Sequence, residues 1–527
     1  MKRWRLLDRS LVWFGNKSLD WLEKLPRFHD GAIADRQHVR ERQREEADKA
    51  HERTRLPKGV DVDFLFFRLV ETFPIEDADV LRQGLKRLLP FLESEFWHRD
   101  FSRDFSEQAK RIQAGGGWNL GCLVGKNTDR LFFGTESRKM PELPEEVSHV
   151  QIWLYHMFPS LFVLTFDVYL TEQATTKLQR VHSEKYLSTL RFLTLIPWGV
   201  QGSSHGGENT SERAIKHQVL RWCDELRRKV ELCIERYVHG NFLRQPARGL
   251  SVLPAIEVFA LKGAPAEPDT FKQWFRHQRA WWIALGFGWD FLTYKSKELL
   301  YVDPADDSPY GKPAQRFVLL WEPYLSTLAE YSLSSGDRYA VIHQMSHMLN
   351  TLLPVFVVLD HLQSVQKNIE RLRKVSFDMM RPRWLLSKRM GKYLNFSNAI
   401  QRHTMLLERL SMEYELAKKQ IELDVGKAVS DIKMDDPYYA KHLGETLSQR
   451  LVTSVTHYTK FLRKNHDFIA QSFSQYLATK NMRVMYQLQK RMFLLTVAVM
   501  FATFFTIAAE WQNIKTFISD LTKLLTH

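Results

Sequence analysis

Residues 492–509 read MFLLTVAVMFATFFTIAA, and this stretch decides the architecture of the chain. It holds 18 residues and no charge. At about 1.5 Å per residue a helix of that length covers ~27 Å, close to the ~30 Å hydrocarbon thickness of a bilayer. Its polar members, Thr496, Thr503 and Thr506, can return their hydroxyls to the helix backbone. Trp511 follows where an interfacial aromatic belongs. The competing reading is a long helix buried in a soluble core.

The flanks give the expected orientation. Lys480, Arg483, Lys490 and Arg491 precede the apolar run, and only Lys515 and Lys523 follow it. That imbalance predicts a cytoplasmic N-terminal side. Within the run, Ala498, Ala502 and Thr506 recur every four residues, a spacing of small side chains that lets helices approach closely in lipid. Beyond it, Ile514, Phe517, Ile518, Leu521, Leu524 and Leu525 form an apolar stripe opposite Asn513, Lys515, Asp520 and Lys523. This predicts an amphipathic tail over 510–527, lying along the far interface or packed on a partner subunit.

Working upstream, residues 343–491 read as helix. Leu362, Val365, Ile369 and Leu372 keep heptad spacing, and so do Ile400, His403, Leu407, Leu410, Tyr414, Ala417 and Ile421. Leu407, Leu410 and Ile421 are the expected core positions of a helical stalk. A further stripe runs through Leu443, Leu447, Leu451, Val455, Tyr458, Leu462, Ile469, Phe473 and Tyr476 towards the membrane run. The pattern predicts one helix from about Tyr438 to Ala509, or shorter helices broken near Lys464–Asp467.

Residues 60–342 have a mixed pattern, read as α+β. Asp63–Glu95 has apolar residues at helical spacing. Leu131–Phe133, Val150–Tyr155, Leu161–Tyr169, Tyr186–Leu195, Leu250–Leu261, Phe291–Val302 and Arg316–Glu322 read as strands. Asp167 and the His156–Pro159 stretch argue against a second span over 150–170. Asn209 and Glu212 suggest a capping box opening a helix over Glu212–Val238, after a Gly/Ser-rich loop at Gln201–Ser211. Residues 1–59 comprise a basic amphipathic segment and a charged linker, with nothing of signal-peptide form.

At 527 residues the chain is expected to form more than one folded unit. Its net charge of +14 calls for an anionic neighbour, and a membrane face serves better than nucleic acid because no dense basic run is present. Three cysteines, Cys122, Cys223 and Cys233, give neither a disulfide framework nor zinc-type spacing.

No motif supplies a chemistry. His343 and His347 have zincin spacing, but Gln344 replaces the general-base glutamate, so no metal is expected. Gly121–Thr128, GCLVGKNT, lacks one residue of a phosphate loop and reads as a turn-rich connection between strands. His98-Arg99-Asp100 stands without the rest of a kinase signature. Asp303, Asp306 and Asp307 fall in a Pro-rich turn, and Asp435-Asp436-Pro437 reads as a cap. The basic–aromatic stretch Phe271–Phe291 reads as core or interface. No catalytic residue or cofactor is predicted.

A cytoplasmic α+β domain, then coiled helices, then a long helix entering the membrane resembles the CorA-type divalent cation transporters. Tyr476-Leu477 and Asn481-Met482, leading towards the apolar run, carry the likeness locally. The family's Gly-Met-Asn signature is absent, since this chain reads Ala508-Ala509-Glu510-Trp511, and a second span is missing. The resemblance therefore implies symmetric oligomerisation around the stalk and no ligand residue.

The expected protein has an α+β cytoplasmic domain, an all-α coiled-coil or stalk region, and one C-terminal transmembrane helix. Its partners are membrane lipid and further copies of itself. Its function is sensing or binding coupled to an oligomeric membrane helix that forms a pore or perturbs the membrane. The alternative is a membrane-anchored enzyme acting on nucleic acid or lipid through the α+β domain.

Overall fold

The computed structural model describes residues 59–93, 116–126, 140, 142–183, 189–193, 206–209, 211–244, 252–263, 291–295, 299–304, 315–321, 337–380, 390–429, 433–434 and 445–525. Residues 1–58, Leu131–Phe133, His98-Arg99-Asp100, 271–290, Asp306, Asp307 and Asp435–Pro437 lie outside them.

A mainly antiparallel sheet dominates the N-terminal region. Its strands are β1 (Asp61–Pro74), β2 (Leu92–Glu93), β3 (Gly116–Val124), β4 (Val147–Phe158), β5 (Leu161–Leu170), β8 (Ala255–Lys262), β9 (Phe291–Lys295), β10 (Leu299–Pro304), β11 (Gln315–Trp321) and β12 (Lys433–Met434). They lie in the order β12-β9-β10-β11-β8-β1-β5-β4-β3-β2, and β6 (Thr189–Leu193) and β7 (Gly206–Asn209) form a separate pair. Among the described strands of the large sheet, only β8 and β11 pair in parallel.

The central strand corrects the helical reading of Asp63–Glu95. Its first part, DVDFLFFRLVETFP, is strand β1, buried from Val62 to Phe73. Elements on both faces hide the alternation that marks a half-exposed strand, and the Phe, Val and Thr content favours a pleated chain. Only after a 3₁₀ turn at Ile75–Asp77 does a helix begin, α1 (Ala78–Leu88). The expected turn at Gly121 is also strand: β3 runs through it, and a register shift falls between Asn119 and Gly121. Gly121 has φ +114°, a conformation open mainly to glycine. Asn209 ends β7 rather than standing free as a cap in a loop.

One sheet face forms the main apolar core. Leu69 and Phe73 of β1, Ile152 of β4 and Phe166 of β5 pack there with Leu81 and Leu85 of α1. Leu178 of α2 (Glu172–Ser183) joins them, with Leu226 and Val230 of α3 (Ser211–Glu235). Fully burying such side chains contributes roughly 1.5–3 kcal/mol each.

Among the described residues the C-terminal region is mainly helical, with three long helices: α4 (Asp337–Met380), α5 (Met390–Val429) and α6 (Leu447–Leu525). The chain divides into two compact units, one of Met1–Val365 with Glu408–Thr459, the other of Gln366–Leu407 with Lys460–His527. In the second unit α5 packs on α6 through an edge-to-face pair, Phe396 with Phe473, centroids 4.7 Å apart. There buried His466 also lies 3.2 Å from the Ile400 carbonyl through Nε2.

Helix α6 is continuous for 79 residues, ~118 Å at the usual rise, with no break at Lys464–Asp467. It begins at Leu447 rather than Tyr438. It also carries straight on through Glu510–Asn513 to Leu525, so the tail is not a separate helix.

Candidate functional site

The most distinctive feature of α6 is a change of environment along one unbroken helix. Up to Phe473 a stripe is buried: Leu447, Leu451, Val455, Leu462, Ile469 and Phe473. From Asn481 to Leu525 every residue is exposed except half-buried Val497. The apolar window centred on 492–509 has none of its residues inside the fold. Phe493, Leu495, Phe504 and Phe505 are each about two-thirds exposed. A helix that is apolar all round requires a protein core or lipid around it.

The threonine hydroxyls of this segment are satisfied within the helix. Thr496 Oγ1 donates to the Met492 carbonyl at 2.9 Å, Thr503 to Val499 at 2.8 Å and Thr506 to Ala502 at 2.9 Å. These are the internal bonds anticipated from the sequence, and they suit a surrounding without water. Ala498, Ala502 and Thr506 are exposed along one side of the helix. Leu407, Leu410 and Ile421 of α5 are buried, at 2%, 5% and 8% exposure. Val365 and Ile369 of α4 are buried as well.

A second hydrophobic helix segment, Gln344–Val375 of α4, is mostly buried inside the protein. A polar cluster explains its place. Arg68 of β1 and Asp167 of β5 are register partners and wholly buried. Arg68 Nε donates to Asp167 Oδ1 at 2.6 Å and Nη2 to Oδ2 at 2.7 Å, a bidentate pair. Arg68 Nη1 donates to Asn350 Oδ1 at 2.7 Å and Nη2 to Ser346 Oγ at 2.8 Å. Ser346 Oγ in turn donates to Asp167 Oδ2 at 2.9 Å. Ser346 and Asn350 stand one turn apart on α4, so the helix is tied to the middle of the sheet by directional bonds.

Burial works against the Arg68 cation, yet the adjoining Asp167 carboxylate outweighs it and leaves the guanidinium more basic than usual. Burial also pushes the hydroxyls of Tyr155 and Tyr169 well above their ordinary range. Sequence reasoning used Asp167 to exclude a span but missed its partner. The available signal was an arginine inside the apolar run of β1 and an aspartate alone in the apolar run of β5.

A second cluster lies at the end of β1. Buried Glu71 accepts the backbone N–H groups of Thr72 at 2.8 Å, Phe242 at 2.9 Å and Leu243 at 2.9 Å. Burial raises its carboxyl to about 7, even though these three donors and Arg244 favour the anion. A Cβ on Gly240 would stand 2.4 Å from the Glu71 side chain, so only glycine fits there. The adjacent Asn241 donates to Ser364 Oγ of α4 at 3.0 Å.

Nearby, the β4–β5 turn is tied to α5. Ser160 donates its N–H to Glu413 at 3.1 Å and its hydroxyl to the same carboxylate. Arg409 bridges Glu413 at 3.3 Å and Glu76 at 3.2 Å.

Among the described residues no group of three or more His, Cys, Asp or Glu is placed to hold a metal ion. His347 is exposed, and the His343 side chain lies outside the description. Of the phosphate-loop candidate, Gly121–Val124 is strand, and Asn127 and Thr128 lie outside the described residues. Cys122, Cys223 and Cys233 are buried and are not joined in disulfides. Burial pushes the Cys233 thiol up to about 12, away from nucleophilic use at neutral pH. The chain matches no protein-family model, curated protein or solved structure.

Proposed function

We propose that this chain is a single-pass membrane protein that couples a cytoplasmic binding or sensing domain, through long helices, to a membrane helix at 492–509. One observation carries the reading: α6 loses its buried side after Phe473 and then exposes an uncharged, apolar surface all round its axis. In water that surface would be a strong aggregation site, whereas in lipid it is solvated. The four cations before the run, against two after it, favour the sheet domain on the cytoplasmic side. Oligomerisation of the membrane helix, with a pore or membrane perturbation as its output, follows as the simplest use of a rigid helix entering lipid.

Deleting residues 492–527 tests the anchor. The full chain should resist extraction by alkaline carbonate, and the truncated chain should move to the soluble fraction. A full-length chain that is soluble and monodisperse without detergent would overturn the reading.

A further inference from the structure

We propose that Glu510–Leu525 associates with the same segment of further copies of this chain, forming a parallel helical bundle beyond the membrane. The proposal rests on the reading of 492–509 as the span.

The sequence alone left this segment free to lie along the far interface. To do so the helix must turn sharply away from the axis of the span. Sharp turns in helices need proline, a glycine or serine pair, or a bulge. Residues 492–525 contain neither glycine nor proline, and α6 is α-helical throughout. The segment therefore continues along the axis of the span, ~24 Å past Ala509. It cannot stay in hydrocarbon either, because Glu510, Lys515, Asp520 and Lys523 would enter with it.

Its side chains are arranged for helices. Trp511, Ile514, Ile518, Leu521 and Leu525 follow a strict three–four spacing, the a and d positions of two heptads. Phe517 and Leu524 take the g positions beside them. Every b, c and f position is polar: Gln512, Asn513, Thr516, Ser519, Asp520 and Lys523. Asp520 and Lys523 pair with each other at 4.0 Å on that outer side. The apolar face is thus three-sevenths of the helix, broader than a two-stranded seam and suited to a bundle of more than two. All seven of its members are exposed, from 45% at Ile514 to 79% at Leu524.

The occupant is a second copy because the span fixes direction and depth. Copies anchored by 492–509 present this segment in parallel and at one height, so identical heptads meet in register. Any other protein would have to supply a matching helix at that same place.

The test is disulfide cross-linking of the full chain in membranes. The three native cysteines are buried, so introduced thiols report alone. Leu521→Cys, facing inward, should cross-link to dimer at least about fivefold more than Ser519→Cys, facing outward. Equal cross-linking of the two, or none from either, overturns the bundle. Ile518→Asp, read as oligomer mass in detergent, should reduce the assembly, and an unchanged mass also overturns it. Carbonate extraction of the same samples separates the two claims. A carbonate-resistant chain without the 521/519 difference keeps the span and loses the bundle, whereas a released chain loses the span and the bundle with it.

Discussion

The pair Arg68–Asp167 offers a sharp test of how the helical region is held to the sheet. Replacing Asp167 with alanine removes both acceptors of the bidentate pair and the acceptor of the Ser346 hydroxyl. It leaves a guanidinium with no solvent exposure and only Ser346 and Asn350 as partners. Removing one member of a buried ion pair costs about 3–5 kcal/mol, mainly through the stranded charge. At roughly 1 °C per kcal/mol for a unit of about 400 residues, the first thermal transition should fall by about 3–5 °C.

The double variant Arg68→Met/Asp167→Leu removes both charges and refills the space, so most of that loss should return. The assay is intrinsic fluorescence during thermal unfolding in detergent, with Trp118 and Trp153 of β3 and β4 as reporters. A shift under about 2 °C for Asp167→Ala would refute the argument. So would a double variant no more stable than the single ones, because the loss would then not come from an unpaired charge.

Three further outcomes follow from the same geometry. Glu71 holds its proton more tightly folded, at about 7, than unfolded, at 4.5, so its contribution is full below pH 4.5 and is lost as pH rises through 7. That difference is worth about 3 kcal/mol, and Glu71→Gln should flatten the fall in melting temperature between pH 5 and 8; an identical slope would refute it. Leu407→Asp with Leu410→Asp should lose roughly 1.5–3 kcal/mol per leucine and add the penalty of unpaired carboxylates, and an unchanged melting temperature would place that face in solvent. Ala502→Leu should leave membrane insertion intact and weaken oligomerisation or vesicle leakage by about tenfold, if 498, 502 and 506 line a close helix contact. Leakage and oligomer size equal to the native chain would leave these residues facing lipid.

The helical half was more legible than the sheet because its signals are local. Buried positions on α5 and α6, such as Leu407, Leu451 and Ile469, repeat every three or four residues and can be read within a short window. The strands Val150–Tyr155 and Leu161–Tyr169 were legible from their Val, Phe and Tyr content. Strand β1 was not, because covering both its faces removes the period-two pattern and leaves an apolar run that suits a helix as well. Arg68 and Asp167 are 99 residues apart, so only strand pairing reveals that one neutralises the other. The unbroken passage through Glu510–Asn513 was hidden by a change of stripe that resembled a boundary.

The polar ties have a mechanical consequence for the proposed coupling. Apolar side chains tolerate sliding, since one leucine in a groove is much like the next, and a helix held only by them can shift against its support. Hydrogen bonds and ion pairs do not tolerate it, because a displacement of an ångström or two leaves buried donors and acceptors unmatched. Helix α4 is bound this way through Ser346 and Asn350 to the sheet centre and through Ser364 to Asn241. Helix α5 is bound through Glu413 to the β4–β5 turn. Both helices run on in sequence past these ties, α4 to Met380 and α5 back to Met390. A rearrangement of β1, β5 or the 240–244 segment on binding a ligand would therefore move the helices with it instead of slipping beneath them. That is the property a sensing domain needs if its output is to leave through helices. It predicts that the Arg68→Met/Asp167→Leu variant, though stable, loses coupling while keeping both its fold and its anchor.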